Sequence, residues 1–450
     1  MILIKKWVII FRNVHYKVTV NIKKKKYMKN LKPIYLFLLL ACLWTGCSKE
    51  GIEDTQEITE LVSKNQSQNN NNQVNPPIRS KNELIVSFRP NTSPSSRDTL
   101  RSNYGIIRYE TCNCGNDRIE KWEFSPGVDV EERTGDIAQE TDVEGVDYEY
   151  LYSNENIAPN LSIAEPHSTL ITNMVRLNNA GVNIAVLDTG INLNILPDTG
   201  RFLYNSNINI NNCTENNTSE VSGWDFVNYD NDPFDELGHG TAVISRIKNK
   251  LENEGVSSYS ILPVKVFNHL GKGTTFNILC GYLYTVKKEN IHLINMSFGW
   301  SGAPSHLLNL YVSENNHILH ITSAGNSDLD NDSNLHYPSS ITVNNLLAIG
   351  SYEIRTTRTG PIIRKSNFSN YGRYTVDYLS KGQDIYFQDV NGINHPIAGT
   401  SYAAPFVTAI AAKYYDLGYH IPEEISLKIW ENATIITNNF NVFFDDRIIE

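Results

Sequence analysis

Five short runs, "VNIAVLDTG", "ILPVKVF", "IHLINMSFG", "HILHITSAGN" and "NLLAIGSY", constrain the fold of this chain more than any other feature. Each is apolar, rich in β-branched residues and bounded by small or polar ones, which is the pattern of a strand buried on both faces of a parallel sheet. Parallel strands need crossovers, and "FNILCGYLYTVKKEN" offers one, with Phe276, Leu279, Leu283 and Val286 on one helical face. The alternation from about residue 161 to 450 predicts an α/β domain, a mostly parallel sheet with helices on both faces. In such a sheet the site lies at the carboxyl ends of the strands.

The preceding region has a different texture. In "NELIVSFRP" Leu84, Val86 and Phe88 alternate with polar residues as in a half-buried strand, "SSRDTLRSNYG" reads as a helix stopped at Gly105, and "IIRYETCNCGNDRIEKWEF" reads as further strands. A small α+β domain is expected over 81–125, followed by an acidic, weakly patterned junction over 126–160. Cys112 and Cys114 in "CNC" lack the second thiol pair or the histidines of a zinc site, so a structural or incidental role is expected. Cys213 and Cys280 could pair in an oxidising compartment, a question of Cα placement that sequence leaves open.

At the N-terminus, "MKNLKPIYLFLLLACLWTGC" joins lysines 29 and 32 to an apolar run and a cysteine. The run is too short to span a bilayer comfortably. It resembles a bacterial lipoprotein signal peptide over 28–46, with Met28 as the start of translation, residues 1–27 untranslated and Cys47 lipidated. This resemblance implies a lipid anchor in a bacterial cell envelope, facing the periplasm or the outside. Residues 47–80 are Asn/Gln-rich and polar, as expected of a flexible linker. The formal charge of 39 − 49 = −10 argues against nucleic acid as a partner.

Three residues carry the candidate chemistry. Asp188 ends a buried strand, His239 lies 239 − 188 = 51 residues later between Gly238 and Gly240, and Ser401 opens the apolar helix "TSYAAPFVTAIAA". Alone, Ser401 reads first as a helix cap, since caps far outnumber nucleophiles. A hydroxyl beside an imidazole and a carboxylate can instead become a nucleophile, because the base takes its proton and the carboxylate fixes the tautomer. The order Asp, His, Ser on a parallel α/β sheet is one of the known triad orders.

The blocks "AVLDTGI", "GHGTAV", "INMSFG", "TSAGN" and "GTSYAAP" resemble, in order and context, those of the subtilisin-like serine protease family over roughly 175–435. The resemblance implies a serine endopeptidase acting on peptide or protein substrate through an acyl-enzyme on Ser401, with His239 as general base and then acid. Asp188 would orient the imidazole, and Asn326 would donate to the oxyanion beside the Ser401 N–H. Ser297, Phe298 and Gly299, with Ser323, Ala324 and Gly325, would line the pocket for the residue before the scissile bond, leaving room for a sizeable side chain. The domain over 81–125 resembles a propeptide, which implies a self-processing zymogen whose own propeptide is a partner. No cofactor is implied for the chemistry. Tyr402 and Phe406 stand where the family commonly has Met and His, which leaves open a narrow-specificity processing protease maturing one peptide or partner. Asp225, Asn228, Asp230 and Asp232 resemble a structural calcium loop, with a solvated acidic turn as the alternative.

Overall fold

The structure, a computed structural model, describes residues 76–153 apart from 113 and 115, then 181–196, 202–206, 213–215, 218–436, 442 and 446–450. Met28, the signal-like segment, Cys47 and nearly all of the expected linker lie outside these residues.

The first domain runs β1 (Ile78–Phe88), α1 (Pro94–Asn103), β2 (Arg108–Cys112), β3 (Asn116–Glu123), α2 (Val130–Ile137) and β4 (Val143–Ser153). The strands are antiparallel in the order β4-β1-β3-β2. Alternation sets the two faces of β1. Leu84, Val86 and Phe88 join Trp122, Phe124 and the helix residues Leu100, Val130 and Ile137 in this domain's own core, while Ile85 points to the other side. Ser93 and Asp129 cap the two helices by accepting from Ser96 N–H and Glu131 N–H.

The expected junction is corrected here. Residues 130–137 form α2, and 143–153 form a strand that pairs with β1 along most of its length. The acidic residues of "VEGVDYEYLYS" masked that strand, because Asp147 and Glu149 are buried where alternation would place them in water. The domain also begins three residues earlier than expected, at Ile78 rather than 81.

The second domain has the expected α/β architecture. β5 (Val182–Asp188) lies between the parallel strands Tyr259–Lys265 and Leu293–Met296, and the sheet continues through Leu319–Ser323, Leu346–Thr357 and Tyr378–Lys381. All seven residues of β5 are buried, as a strand covered on both faces requires. Ile184 and Val186 face α3 (His239–Asn253), whereas Ala185 and Leu187 face α4 (Thr275–Lys287) and α5 (His306–Glu314). Helices α6 (Thr400–Asp416) and α7 (Pro422–Asn432) share the α3 side.

Helix α4 is buried nearly all round, with Ile278, Cys280, Tyr282 and Tyr284 covered as well as the expected Phe276, Leu279 and Leu283. The first domain covers its outer side. Strand Lys272–Thr274 extends that domain's sheet by pairing with β4, Gly273 opposite Tyr152. The two buried acids of β4 then end at helix N-termini. Glu149 accepts from Phe276 N–H of α4 at 3.0 Å. Asp147 accepts from His306 N–H at 2.9 Å, Leu307 N–H at 3.0 Å and Ser305 Oγ at 2.6 Å, all at the start of α5. Carboxylates there satisfy orphan amides and meet the positive end of the helix dipole.

Two disulfides fasten the same interface, Cys112–Cys280 and Cys114–Cys213, with Cα separations of 5.5 and 4.9 Å, inside the range that a disulfide spans. Cys213 and Cys280 therefore do not pair with each other. Each takes one thiol of "CNC", Cys280 that of Cys112 and Cys213 that of Cys114, so that motif is structural and no longer available as a metal ligand pair.

Candidate active site

The site forms where β5 ends and two helices begin. Asp188 is the last residue of β5, and its Oδ1 accepts from Thr189 N–H at 2.8 Å and lies 2.7 Å from His239 Nδ1. Both side chains are buried, and neither His239 Nε2 nor Asp188 Oδ2 has a hydrogen-bond partner among the described residues. An imidazole whose Nδ1–H is held by a carboxylate presents an unprotonated Nε2. Burial pulls the pKa of His239 down, but the charge and hydrogen bond of Asp188, with the charge of Asp235, outweigh it and raise it above the ordinary value.

The local backbone explains why His239 stands at the start of α3. Gly238 adopts a left-handed conformation, φ 90°, which glycine tolerates without strain. A Cβ at Gly240 would sit 2.4 Å from the Gly190 carbonyl oxygen, so only glycine lets α3 approach the end of β5 this closely. Asp235, not singled out from sequence, ties the turn together. Its Oδ1 accepts from Leu237 and Gly238 N–H, and its Oδ2 from Thr241 N–H and Oγ1 at 2.6–3.0 Å.

Ser401 is buried in the first turn of α6, after Gly399, and no side chain caps that helix. The cap reading of this serine is not realised. Tyr402 packs on the His239 ring with centroids 5.5 Å apart.

Asn326 follows the strand Leu319–Ser323 and is oriented by a residue that sequence reading missed. Its Oδ1 accepts from Thr400 N–H at 2.7 Å and from Thr400 Oγ1 at 2.9 Å, and that hydroxyl accepts in turn from Gly325 N–H at 3.1 Å. With the oxygen committed, the amide nitrogen is the end turned outward, near Gly399 at the mouth of α6. A Thr beside a candidate Ser was the only signal, and it reads as ordinary capping chemistry.

The pocket segments Ser297–Gly299 and Ser323–Gly325 follow the ends of neighbouring parallel strands and so lie side by side. Ser297 Oγ accepts from Asn295 Nδ2 at 2.8 Å, and Ser323 Oγ donates to the Phe298 carbonyl at 3.4 Å. The Phe298 ring is buried in the core against Phe267, with centroids 5.0 Å apart. Ala324 is buried in a separate small cluster with Tyr352 and Leu379.

The expected calcium ligands do not fit that ion. Asp225 is buried and its acceptors are filled: Oδ1 by Val227 and Asn228 N–H, Oδ2 by Asn228 Nδ2 at 3.0 Å and by the Lys265 ammonium at 3.3 Å. Asn228 thus turns its nitrogen, a donor, toward the carboxylate. Asp230 Oδ1 accepts from Asp232 N–H at 2.9 Å, and burial first, then Asp230, pushes Asp232 up to about 6. The cation in this turn is Lys265, which also donates to the Phe234 carbonyl at 2.7 Å and pairs with Glu236.

The sequence model of the subtilase family (Peptidase_S8) matches residues 179–439, more than half of the chain. Alkaline serine exoprotease A of Vibrio alginolyticus is 31% identical over 52% of this chain and 38% of its own length. The cell wall-associated protease of Bacillus subtilis (strain 168) is 28% identical over 55% of this chain and 24% of its own, so the chain spans less than half the length of both relatives. Thermitase of Thermoactinomyces vulgaris is 27% identical over 52% of this chain and 74% of its own. Among solved structures, the epidermin leader peptide processing serine protease (EpiP) of Staphylococcus aureus superposes with a TM-score of 0.54 at 13% identity, over 82% of this chain and 96% of its own.

Proposed function

From the premise that this chain belongs to the subtilase family, we propose that it is a serine endopeptidase in which Ser401 is the nucleophile, His239 the base and acid, and Asp188 the group that orients the imidazole. The observation that carries this reading is the buried 2.7 Å contact between Asp188 Oδ1 and His239 Nδ1, which leaves Nε2 unpaired beside the start of α6. In the reaction, Ser401 Oγ attacks the substrate carbonyl carbon while its proton passes to His239 Nε2. The carbonyl oxygen becomes an oxyanion that Asn326 Nδ2 and the Ser401 N–H stabilise. Collapse breaks the C–N bond, and Nε2 returns the proton to the leaving amine, giving an acyl-enzyme. Water then attacks that ester as Nε2 takes its proton, and the acid leaves with Ser401 restored.

The first domain serves as an inhibitor-like propeptide, and the protease is made as a zymogen that cuts itself and is held in a bacterial envelope by lipid on Cys47. The support is the strand pairing of β4 with Lys272–Thr274 and the signal-like sequence before Cys47. A fluorophosphonate probe tests the chemistry: wild type should be labelled at Ser401, while Ser401→Ala should be unlabelled and accumulate at full length. Labelling that persists in Ser401→Ala would refute the assignment.

A further inference from the structure

The pocket expected between Ser297–Gly299 and Ser323–Gly325 has a floor that its two wall sequences do not reveal. His336 stands between the two glycines. A Cβ built on Gly299 would meet His336 Cε1 at 2.1 Å and Nε2 at 2.6 Å, and one built on Gly325 would meet Nε2 and Cδ2 at 2.9 Å. One imidazole edge therefore rests against the bare α-carbons of both walls. A small residue at each of these positions makes room for the histidine, not for a large substrate side chain.

Several contacts lock the ring in place. The segment His336–Tyr337 pairs as a short strand with Trp300–Ser301, directly after Gly299, so the floor is fastened to one wall. His336 N–H donates to Ser340 Oγ at 3.0 Å. Ser339 Oγ donates to the His336 carbonyl at 2.9 Å and lies 2.8 Å from His336 Nδ1. Because the Ser339 hydrogen is committed to that carbonyl, its lone pair accepts from Nδ1–H, which leaves Nε2 unprotonated on the edge that faces the glycines. Burial holds the imidazole down at about 4, so the ring is neutral near pH 7.

We propose that His336 is a specificity-determining residue that closes the pocket for the side chain before the scissile bond, restricting it to small residues such as Ala or Ser. This rests on the protease reading above. An aromatic or long aliphatic side chain passing between Gly299 and Gly325 would collide with a ring that is buried, tethered at both backbone and side chain, and unable to rotate away without breaking its Ser339 contact. A serine there can donate to Nε2, whereas alanine fits without a partner.

The test compares peptide amide substrates that differ only in Ala, Ser or Phe before the scissile bond, using wild type and His336→Ala. Wild type should favour Ala and Ser over Phe in kcat/KM by at least about 10-fold, the scale on which a pocket discriminates by volume. His336→Ala should raise the Phe-to-Ala ratio by a similar factor. Wild type that cleaves the Phe substrate as fast as the Ala substrate overturns the proposal, as does an unchanged ratio in a His336→Ala protein that still takes up the fluorophosphonate probe. If the variant does not fold, the wild-type profile alone decides. Probe uptake separates the two readings: an unlabelled wild type refutes the protease assignment and this inference falls with it, while a labelled enzyme with the wrong profile refutes only the closed pocket.

Discussion

The two domains bury carboxylates in opposite ways. In the α/β domain Asp188 and Asp235 find their partners within a few turns of one another, at the end of β5 and the start of α3. In the first domain Asp147 and Glu149 are equally buried, but their side chains accept from the other domain, from Phe276, Ser305, His306 and Leu307. An isolated first domain would expose these acids and Ile85 along one sheet face. The contrast teaches that the α/β domain supplies the partners of its buried site carboxylates from within itself, whereas the acids of the first domain are satisfied only by docking.

The largest expected effect breaks that dependence at its covalent points. A cut after Ser153 hydrolyses one peptide bond, adding water and giving a carboxylate and an ammonium, but Cys112–Cys280 and Cys114–Cys213 still join the fragments. The cut protein should run as one species without reductant and as two with it. In the Cys112→Ser, Cys114→Ser double variant the fragments should separate without reductant. Closing loops of 168 and 99 residues stabilises by about 5 kcal/mol for the first bridge and less for the second, because the first has already joined the chain. Two separate bands for wild type without reductant would show that the bridges do not tether the domain.

The site of the α/β domain is probed next. Asn326→Ala should lower kcat by roughly 10²–10³-fold while lowering the midpoint of thermal unfolding by only a few degrees, since beyond the oxyanion donor only the two Thr400 donors lose their acceptor and no interdomain contact changes. That magnitude was established on a subtilisin, a member of this same family. Unchanged turnover would remove Asn326 from the site. A smaller loss is expected from Asp147→Ala, which strands Ser305 Oγ and the His306 and Leu307 N–H groups at the head of α5. The cost should be about 2–3 kcal/mol, read as a lower melting temperature in the Ser401→Ala background. A melting temperature equal to that of the parent would mean that water replaces the carboxylate freely.

The same contrast explains which parts were legible in the sequence. The strand runs announce themselves because a parallel strand is apolar on both faces, and Asp188, His239 and Ser401 stand at the strand and helix ends where an α/β sheet places a site. The β4 region was hidden because its acids are buried by a partner far away in sequence, so alternation reads them as solvent-facing. Disulfide pairing is a matter of distance in space, and nothing in "CNC" foretells that it faces both Cys280 and Cys213. The calcium reading failed for a related reason, since Lys265 reaches the acidic turn from a neighbouring strand. Thr400 and His336 carry no local signature. Each acquires its role from what the fold lays against it, an amide in one case and two glycines in the other.

The smallest effect isolates the charge that docking buries. Burial raises Glu149 to about 7 from an ordinary 4.5, against the lowering influence of Lys121, Thr274 and the Phe276 amide. The docked state therefore binds more protons than the undocked state between those two values. Its stability falls as pH rises through that window and levels off above about 7. Moving from pH 7.5 to 6 should strengthen docking by about 1 kcal/mol, a little under one pKa unit of linkage. Asp147 is also raised by burial and works in the same direction, so the test must separate the two. Glu149→Gln keeps the shape and an acceptor for Phe276 N–H but cannot titrate, and should therefore flatten the pH dependence over this interval while leaving any contribution of Asp147 at lower pH. Melting curves of the Ser401→Ala protein with and without Glu149→Gln, taken in steps from pH 5 to 8, give the comparison. Parallel curves for the two proteins would show that Glu149 stays ionised in the interface, held by the N-terminus of α4 more strongly than its burial opposes.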